Sequence, residues 1–205
     1  MIATDAETNT LQLPARDFGG YIFDCDGTLV DSMPLHYVCW VEALRNNGAT
    51  YEFTEEEFYY YAGVPEKDTV IILNAKHSVF IDPEAVVASK AAQFLKRIGD
   101  LKVVRPVADY ARSLHGTRPI SVASGSEAPV VRACLTATGL FDLFPHIITP
   151  ENVKRGKPAP DMFLLAAERM GISPKDCLVF EDGRSGVEAA KAAGMEVVFI
   201  PRTLR

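Results

Sequence analysis

Apolar runs long enough to cross a membrane are missing from this chain. Nowhere do its 205 residues hold the roughly 20 consecutive apolar positions that a spanning helix needs. Runs of lysine and arginine are missing too. With 21 basic against 27 acidic residues the net charge is −6, so there is no basic footprint to grip a phosphodiester backbone. Neither a membrane nor a nucleic acid is expected as a partner. Cysteine is sparse: Cys25, Cys39, Cys134 and Cys177 form no CxxC pair. That removes the common zinc and dithiol motifs and fits buried thiols in a reducing cytoplasm. The opening segment, MIATDAETNTLQLPARDF, lacks the apolar stretch of a secretory signal. Residues 1–17 read as a loosely held arm. There is no internal repeat and no low-complexity stretch, and a monomer is the default expectation.

What is present is the material for a core. Hydrophobic residues make up 48% of the chain, enough for one large domain or one domain with an insert. Tyr21-Ile22-Phe23 reads as a short buried strand. From 32 to about 100 the pattern is helical. Tyr37, Trp40, Val41 and Leu44 recur at helical spacing and Gly48 closes the run. Thr54-Glu55-Glu56-Glu57 is a capping box for a second helix, ended by Gly63. A third helix is expected from Lys67 to about Ala75, and Asp82-Pro83 starts a fourth that ends near Gly99.

After Arg105-Pro106 strands return. A helix through Val107, Tyr110, Ala111 and Leu114 leads to strand 120–123. Helix 128–138, strand 147–148, helix 160–170, strand 178–180, helix 184–193 and strand 197–200 follow. Strands alternating with helices over short links mean a parallel sheet covered on both faces. The fold class is therefore α/β: a Rossmann-like, doubly wound core (18–32 and 101–205) with an inserted all-α cap (33–100).

In such sheets ligands bind beyond the carboxyl ends of the strands. Asp24, Asp26, Gly27 and Thr28 follow the first strand. Ser124, Gly125 and Ser126 follow the second, Lys157 comes a little after the third, and Glu181 and Asp182 follow the fourth. Four carboxylates on one rim repel one another and are costly to bury unpaired, so they need a cation. Their ligand atoms are all hard oxygens, which favours Mg²⁺ over zinc. Asp24 and Asp182 are the expected direct ligands, with the Asp26 carbonyl completing the shell and Glu181 either ligating or acting through water. Lys157, the Ser124 hydroxyl and the backbone amides at Gly125 and Ser126 supply the opposite charge and suit a tetrahedral dianion. Asp24 is the candidate nucleophile, forming an aspartyl-phosphate. Asp26 is the candidate acid and base, with its pKa expected to be raised by its carboxylate neighbours. Asp161 reads only as a helix cap.

These residues resemble the haloacid dehalogenase superfamily. FDCDGT is similar to its first motif, Ser124 in SVASGS to the second, Lys157 in KRGKPAPD to the third, and Glu181-Asp182 in VFEDGRSG to the fourth. The resemblance implies a sheet ordered 5-4-1-2-3 and a helical cap closing over the site. Dehalogenation is disfavoured, because dehalogenases lack the second aspartate that Asp26 provides. Within the superfamily the chain is similar to β-phosphoglucomutases and to small sugar-phosphate phosphatases of the fructose-1-phosphatase kind. The mutases carry an arginine shortly after a Gly-Val in a cap loop, where it grips a second phosphate. Here the loop reads Gly63-Val64-Pro65-Glu66-Lys67, and Glu66 stands in the arginine's place. A carboxylate there repels a phosphate, although Lys67 could compensate as a point charge.

The expected activity is thus Mg²⁺-dependent hydrolysis of a small phosphorylated metabolite, a sugar or polyol phosphate. A phosphosugar mutase and a non-catalytic phosphosugar-binding protein are the alternatives. The resemblance also implies substrate contacts for His36 and Trp40, on one helical face at the hinge, and for Lys90 in the cap. Each has a plainer reading as a surface histidine, a core tryptophan or a solvated lysine.

Overall fold

The computed structural model describes residues 11–62 and 64–204. Gly63, expected to end a cap helix and to join the substrate loop, lies outside the described residues. So do residues 1–10 of the expected arm. Residues 11–17 are tied down at Arg16, whose guanidinium reaches Glu196 and the Lys175 carbonyl, both at 2.8 Å.

Five strands form one parallel sheet among the described residues: β1 (Gly20–Phe23), β2 (Ile120–Ala123), β3 (His146–Ile148), β4 (Cys177–Glu181) and β5 (Glu196–Phe199). Their order is β3-β2-β1-β4-β5, the same order as 5-4-1-2-3 read from the other edge. β1 is central, with Phe23 paired to Val122 on one side and Phe180 on the other. Every residue of β1, β2 and β4 is buried, as expected of parallel strands covered on both faces.

Side-chain alternation then sorts the core. Tyr21 and Phe23 point to one face, where they pack with α5 (Arg105–Leu114) and α6 (Ala128–Ala137). Ile22 points to the other, beneath α7 (Asp161–Met170) and α8 (Arg184–Ala192).

Between β1 and α5 lie α1 (Met33–Asn46), α2 (Glu55–Tyr60), α3 (Glu66–His77) and α4 (Pro83–Arg97). They enclose a hydrophobic cluster of their own around Trp40, Leu44, Phe58, Val70, Leu73 and Val86. Local signals set their starts. The Thr54 amide donates to Glu57 Oε2 at 3.0 Å, and the Glu57 amide donates back to Thr54 Oγ1 at 3.2 Å. Asp82 accepts from the Glu84 amide at 3.0 Å, with Pro83 in the first turn.

Asp161 requires a correction. It is the first residue of α7 rather than its cap, and Pro160 holds the cap position. Its carboxylate sits in the favoured first turn and pairs with Arg155 at 2.9 and 3.2 Å. The last strand begins one residue earlier than the apolar run 197–200, at Glu196, because Leu178 of β4 pairs with it. Among the described residues no helix is long and apolar enough to cross a membrane, and all four cysteines are free and buried.

The stacked rings of Phe23 and Phe180, with centroids 4.6 Å apart and no exposure, hold β1 against β4. Truncating Phe180 to alanine is expected to cost about 3–5 kcal/mol. A urea titration should show the midpoint falling at constant slope.

Candidate active site

The site grows from the end of β1. The Asp24 amide donates to the Phe180 carbonyl at 2.9 Å, so Asp24 continues the sheet ladder one residue past the strand. Cys25 then turns into the core with no exposure. Its carbonyl accepts from the amides of Leu29 and Val30 at 3.0 and 2.9 Å, closing a tight loop. Gly27, at φ 82°, makes that loop possible, because a side chain rarely tolerates this conformation.

Lys157 arrives from the segment after β3. Its ammonium lies 2.7 Å from Asp24 Oδ1 and 2.7 Å from Glu181 Oε2. All three side chains are under 10% exposed. Glu181 is the last residue of β4, not the first after it, and its other oxygen accepts from the Gly183 amide at 2.9 Å. A side chain at Gly186 would clash, since its Cβ would fall 2.0 Å from the Glu181 carboxylate. Asp182 completes the group. Carboxylate oxygens of Asp24, Glu181 and Asp182 all lie within 4.8 Å of one another, and Thr28 Oγ1 donates to Asp182 Oδ1 at 3.3 Å.

One ammonium cannot neutralise this many buried carboxylates. Burial and the Glu181 charge push Asp24 up to about 7, against the pull of Lys157. Burial likewise raises Glu181. Burial works against the Lys157 charge, but Asp24 and Glu181 outweigh it and hold the ammonium firmly charged. The donor set of three clustered hard-oxygen carboxylates and the surplus of negative charge both fit a divalent cation such as Mg²⁺.

Asp26 stands apart, and the expectation of a raised pKa is overturned. Its Oδ1 accepts from Ser32 Oγ at 2.6 Å and lies 3.1 Å from His36 Nε2. Its Oδ2 accepts from Ser126 Oγ at 2.7 Å and Ser124 Oγ at 3.4 Å. Burial would raise its pKa, but His36 and the serine hydroxyls overcome it and hold the carboxyl well below the usual range. Burial and the Lys90 charge favour a neutral His36. A charged ring lowers Asp26 most, and the hydrogen bonds from Ser32 and Ser126 lower it whichever form the ring takes. Burial and crowding therefore raise Asp24, while Asp26 is lowered because it holds His36 and the hydroxyl donors and Asp24 does not.

These groups open on a cleft of about 270 Å³. Asp24, Asp26, Ser124, Gly125, Ser126, Lys157, Glu181 and Asp182 line its floor, and His36, Trp40, Val64, Glu66 and Lys90 line the walls contributed by the helices. Ser124 also accepts from the Ser126 amide at 3.1 Å. His36 is buried and stacks on Phe94 at 4.0 Å, so it is not a surface histidine. Lys90 is only 5% exposed and pairs with Glu66, so it is not a solvated lysine. Lys67, expected to serve the distal end of the substrate, instead pairs with Glu84 at 2.6 Å on an open surface where it is 52% exposed.

Sequence reasoning missed two contributors, Ser32 and Gly186, and the partners of two residues it had noted. Ser32 was hidden because it sits at a helix start, where a serine normally caps; here it makes no cap bond and serves Asp26. Thr28 and Glu66, both noted in the sequence, act through partners far away in it, Asp182 and Lys90. Gly186, close in sequence to its partner Glu181 and small within the helix after an acidic strand end, left a local signal.

The haloacid dehalogenase-like hydrolase family matches residues 18–194, and the chain belongs to it. It is an enzyme, a phosphatase of that family. It is 36% identical over 181 residues to the fructose-1-phosphate phosphatase YqaB of Escherichia coli, covering 88% of this chain and 95% of that one. It is 32% identical over 184 residues to a phosphorylated carbohydrates phosphatase of Thermotoga maritima, covering 87% and 82%. The fold matches that of CbbY from Rhodobacter sphaeroides, crystallised with phosphate, at a TM-score of 0.79 and 22% identity over 90% and 86% of the two chains.

The close approach at Gly186 gives a direct test. Gly186→Ala is expected to push Glu181 off Lys157 and to cost about 1–3 kcal/mol, as overpacking does. Urea unfolding in metal-free buffer measures it. An unchanged midpoint would mean that Glu181 can swing aside freely.

Proposed function

We propose that the protein hydrolyses phosphate monoesters of small sugars or polyols through a covalent phosphoryl group on Asp24. The observation that carries this reading is the placement of Asp24. It is fixed by the sheet ladder and by Lys157, and it opens on a cleft whose floor also holds Ser124, Ser126 and Asp26. The relatives that act on fructose 1-phosphate and on phosphorylated carbohydrates support the substrate class.

Asp24, Asp182 and the Asp26 carbonyl would hold Mg²⁺, with Glu181 beside them. The ion would neutralise the carboxylates and the charge of the bound phosphoryl group. An Asp24 oxygen attacks phosphorus while the bond to the sugar oxygen breaks, and Asp26 gives that oxygen a proton. Water then attacks the same phosphorus, Asp26 takes up the water's proton, and Asp24 is released. Lys157 and the Ser124 hydroxyl hold the equatorial oxygens throughout.

Asp26 is ionised in the free protein, which is the form that a base needs in the second half of this cycle. The first half needs a protonated Asp26. Phosphate supplies the change: Ser124 and Ser126 turn from Asp26 toward its oxygens. Asp26 then loses two donors and gains a dianion as neighbour, and both raise its pKa. The mutase alternative requires a cap cation free for a second phosphate. Lys67 and Lys90 are both already paired.

Asp24→Asn is expected to lower kcat by about 10³-fold or more. Phosphate release from a panel of sugar phosphates measures it, and appreciable turnover by this variant would remove the covalent route. Millimolar Mg²⁺ is expected to raise the Tm of the metal-free protein, by about 2.7 kcal/mol of stability at a hundred times Kd. Asp182→Asn should abolish that rise. An equal rise in both proteins would place the ion elsewhere.

A further inference from the structure

Lys90 is an unusual lysine. It lies midway along α4, 5% exposed, with Nζ 5.9 Å from the Trp40 ring centroid and 6.0 Å from that of Phe94. Lysines are almost never buried this fully unless paired, and its partner is Glu66, the first residue of α3. Both line the same cleft as Asp24 and Lys157. Left alone, an ammonium backed by aromatic rings over a phosphate-handling site would be a ready seat for a second anion. Glu66 occupies that seat.

We propose that Glu66 makes the wall of the cleft selective for phosphate esters that carry no second negative charge. This deepens the phosphatase reading and rests on it. A substrate with a distal phosphate or carboxylate must either displace Glu66 from Lys90 or lie beside it. Either arrangement sets like charges against each other where water screens them poorly. A distal hydroxyl meets no such penalty. It can donate to Glu66, whose side chain is 36% exposed and which, with a second oxygen and spare lone pairs, has acceptor capacity to share. The pair thus acts as a neutral polar surface that reads hydroxyls and rejects anions.

The test uses glucitol 6-phosphate and 6-phosphogluconate, chains that differ only in a hydroxymethyl or a carboxylate at C1. The intact protein is expected to prefer glucitol 6-phosphate in kcat/KM by about tenfold or more, since a like charge at close range costs at least that. The preference should arise mainly in KM. Glu66→Gln keeps the shape and frees Lys90, and should bring the ratio within about threefold of unity. Adding Lys90→Met to Glu66→Gln should remove the gain for 6-phosphogluconate. An unchanged ratio in a Glu66→Gln variant that keeps its Tm, or no preference in the intact protein, would overturn the proposal.

A binding arm separates this proposal from the phosphatase reading. In an Asp24→Asn background the chain's single tryptophan, Trp40, lies in the cleft wall and reports binding by its fluorescence. The same Kd ratio without turnover in the parent would keep the charge filter and remove the hydrolase reading. Failure of glucitol 6-phosphate to bind at millimolar concentration would remove the filter.

Discussion

The Lys157 ammonium sits between two carboxylates that could not be buried without it, 2.7 Å from each. Asp24 and Glu181 come from adjacent parallel strands, and the pairing of Phe23 with Phe180 sets them side by side. That register would be electrostatically intolerable in a dry core if no cation reached it. The segment after β3 delivers the cation, and α7, packed beneath the sheet, anchors that segment. Gly186 leaves room for Glu181 to face Lys157. The neutralisation is incomplete, and the remainder appears as the raised proton affinity of Asp24. A site left this negative suits a divalent cation.

Asp26 solves a different problem two residues away. One of its oxygens is held by Ser32 and His36, at and just inside the start of α1. The other is held by Ser124 and Ser126, beyond β2. Its protonation is therefore set by His36 and these hydroxyls more than by the neighbouring carboxylates. Two aspartates with nearly the same position in sequence thus have opposite tendencies. Burial and Glu181 beside the one, and His36 with the serine hydroxyls beside the other, separate them.

Much of the floor of the cleft was legible from sequence because its residues follow strand ends, and strand ends can be read from apolar runs and helix punctuation. Asp24, Ser124, Lys157 and Glu181 meet as the alternating pattern required. The helical walls were harder to read. Lys67 and Lys90 are both lysines on helices, and nothing local distinguishes the one that pairs across the surface with Glu84 from the one buried against Glu66. Pairing between α3 and α4 decides it, and that is a tertiary fact. The proton affinity of Asp26 was misjudged for the same reason. Counting charges along the chain finds the crowd, while the groups that offset it at Asp26 are Ser32, His36 and Ser126, and only the fold brings them to that carboxylate.

The separation of the site in sequence sets an order on folding. Asp24 and Lys157 are 133 residues apart, and Lys157 and Glu181 are 24 apart. β1 is made first but cannot complete its pairing until β2 and β4 exist, and contacts this distant form slowly because the loop between them must close first. On a ribosome the candidate nucleophile therefore stays unassembled until nearly the whole sheet has been synthesised. The site marks the completion of the fold: a chain able to hold phosphate on Asp24 has already joined its first strand to its fourth.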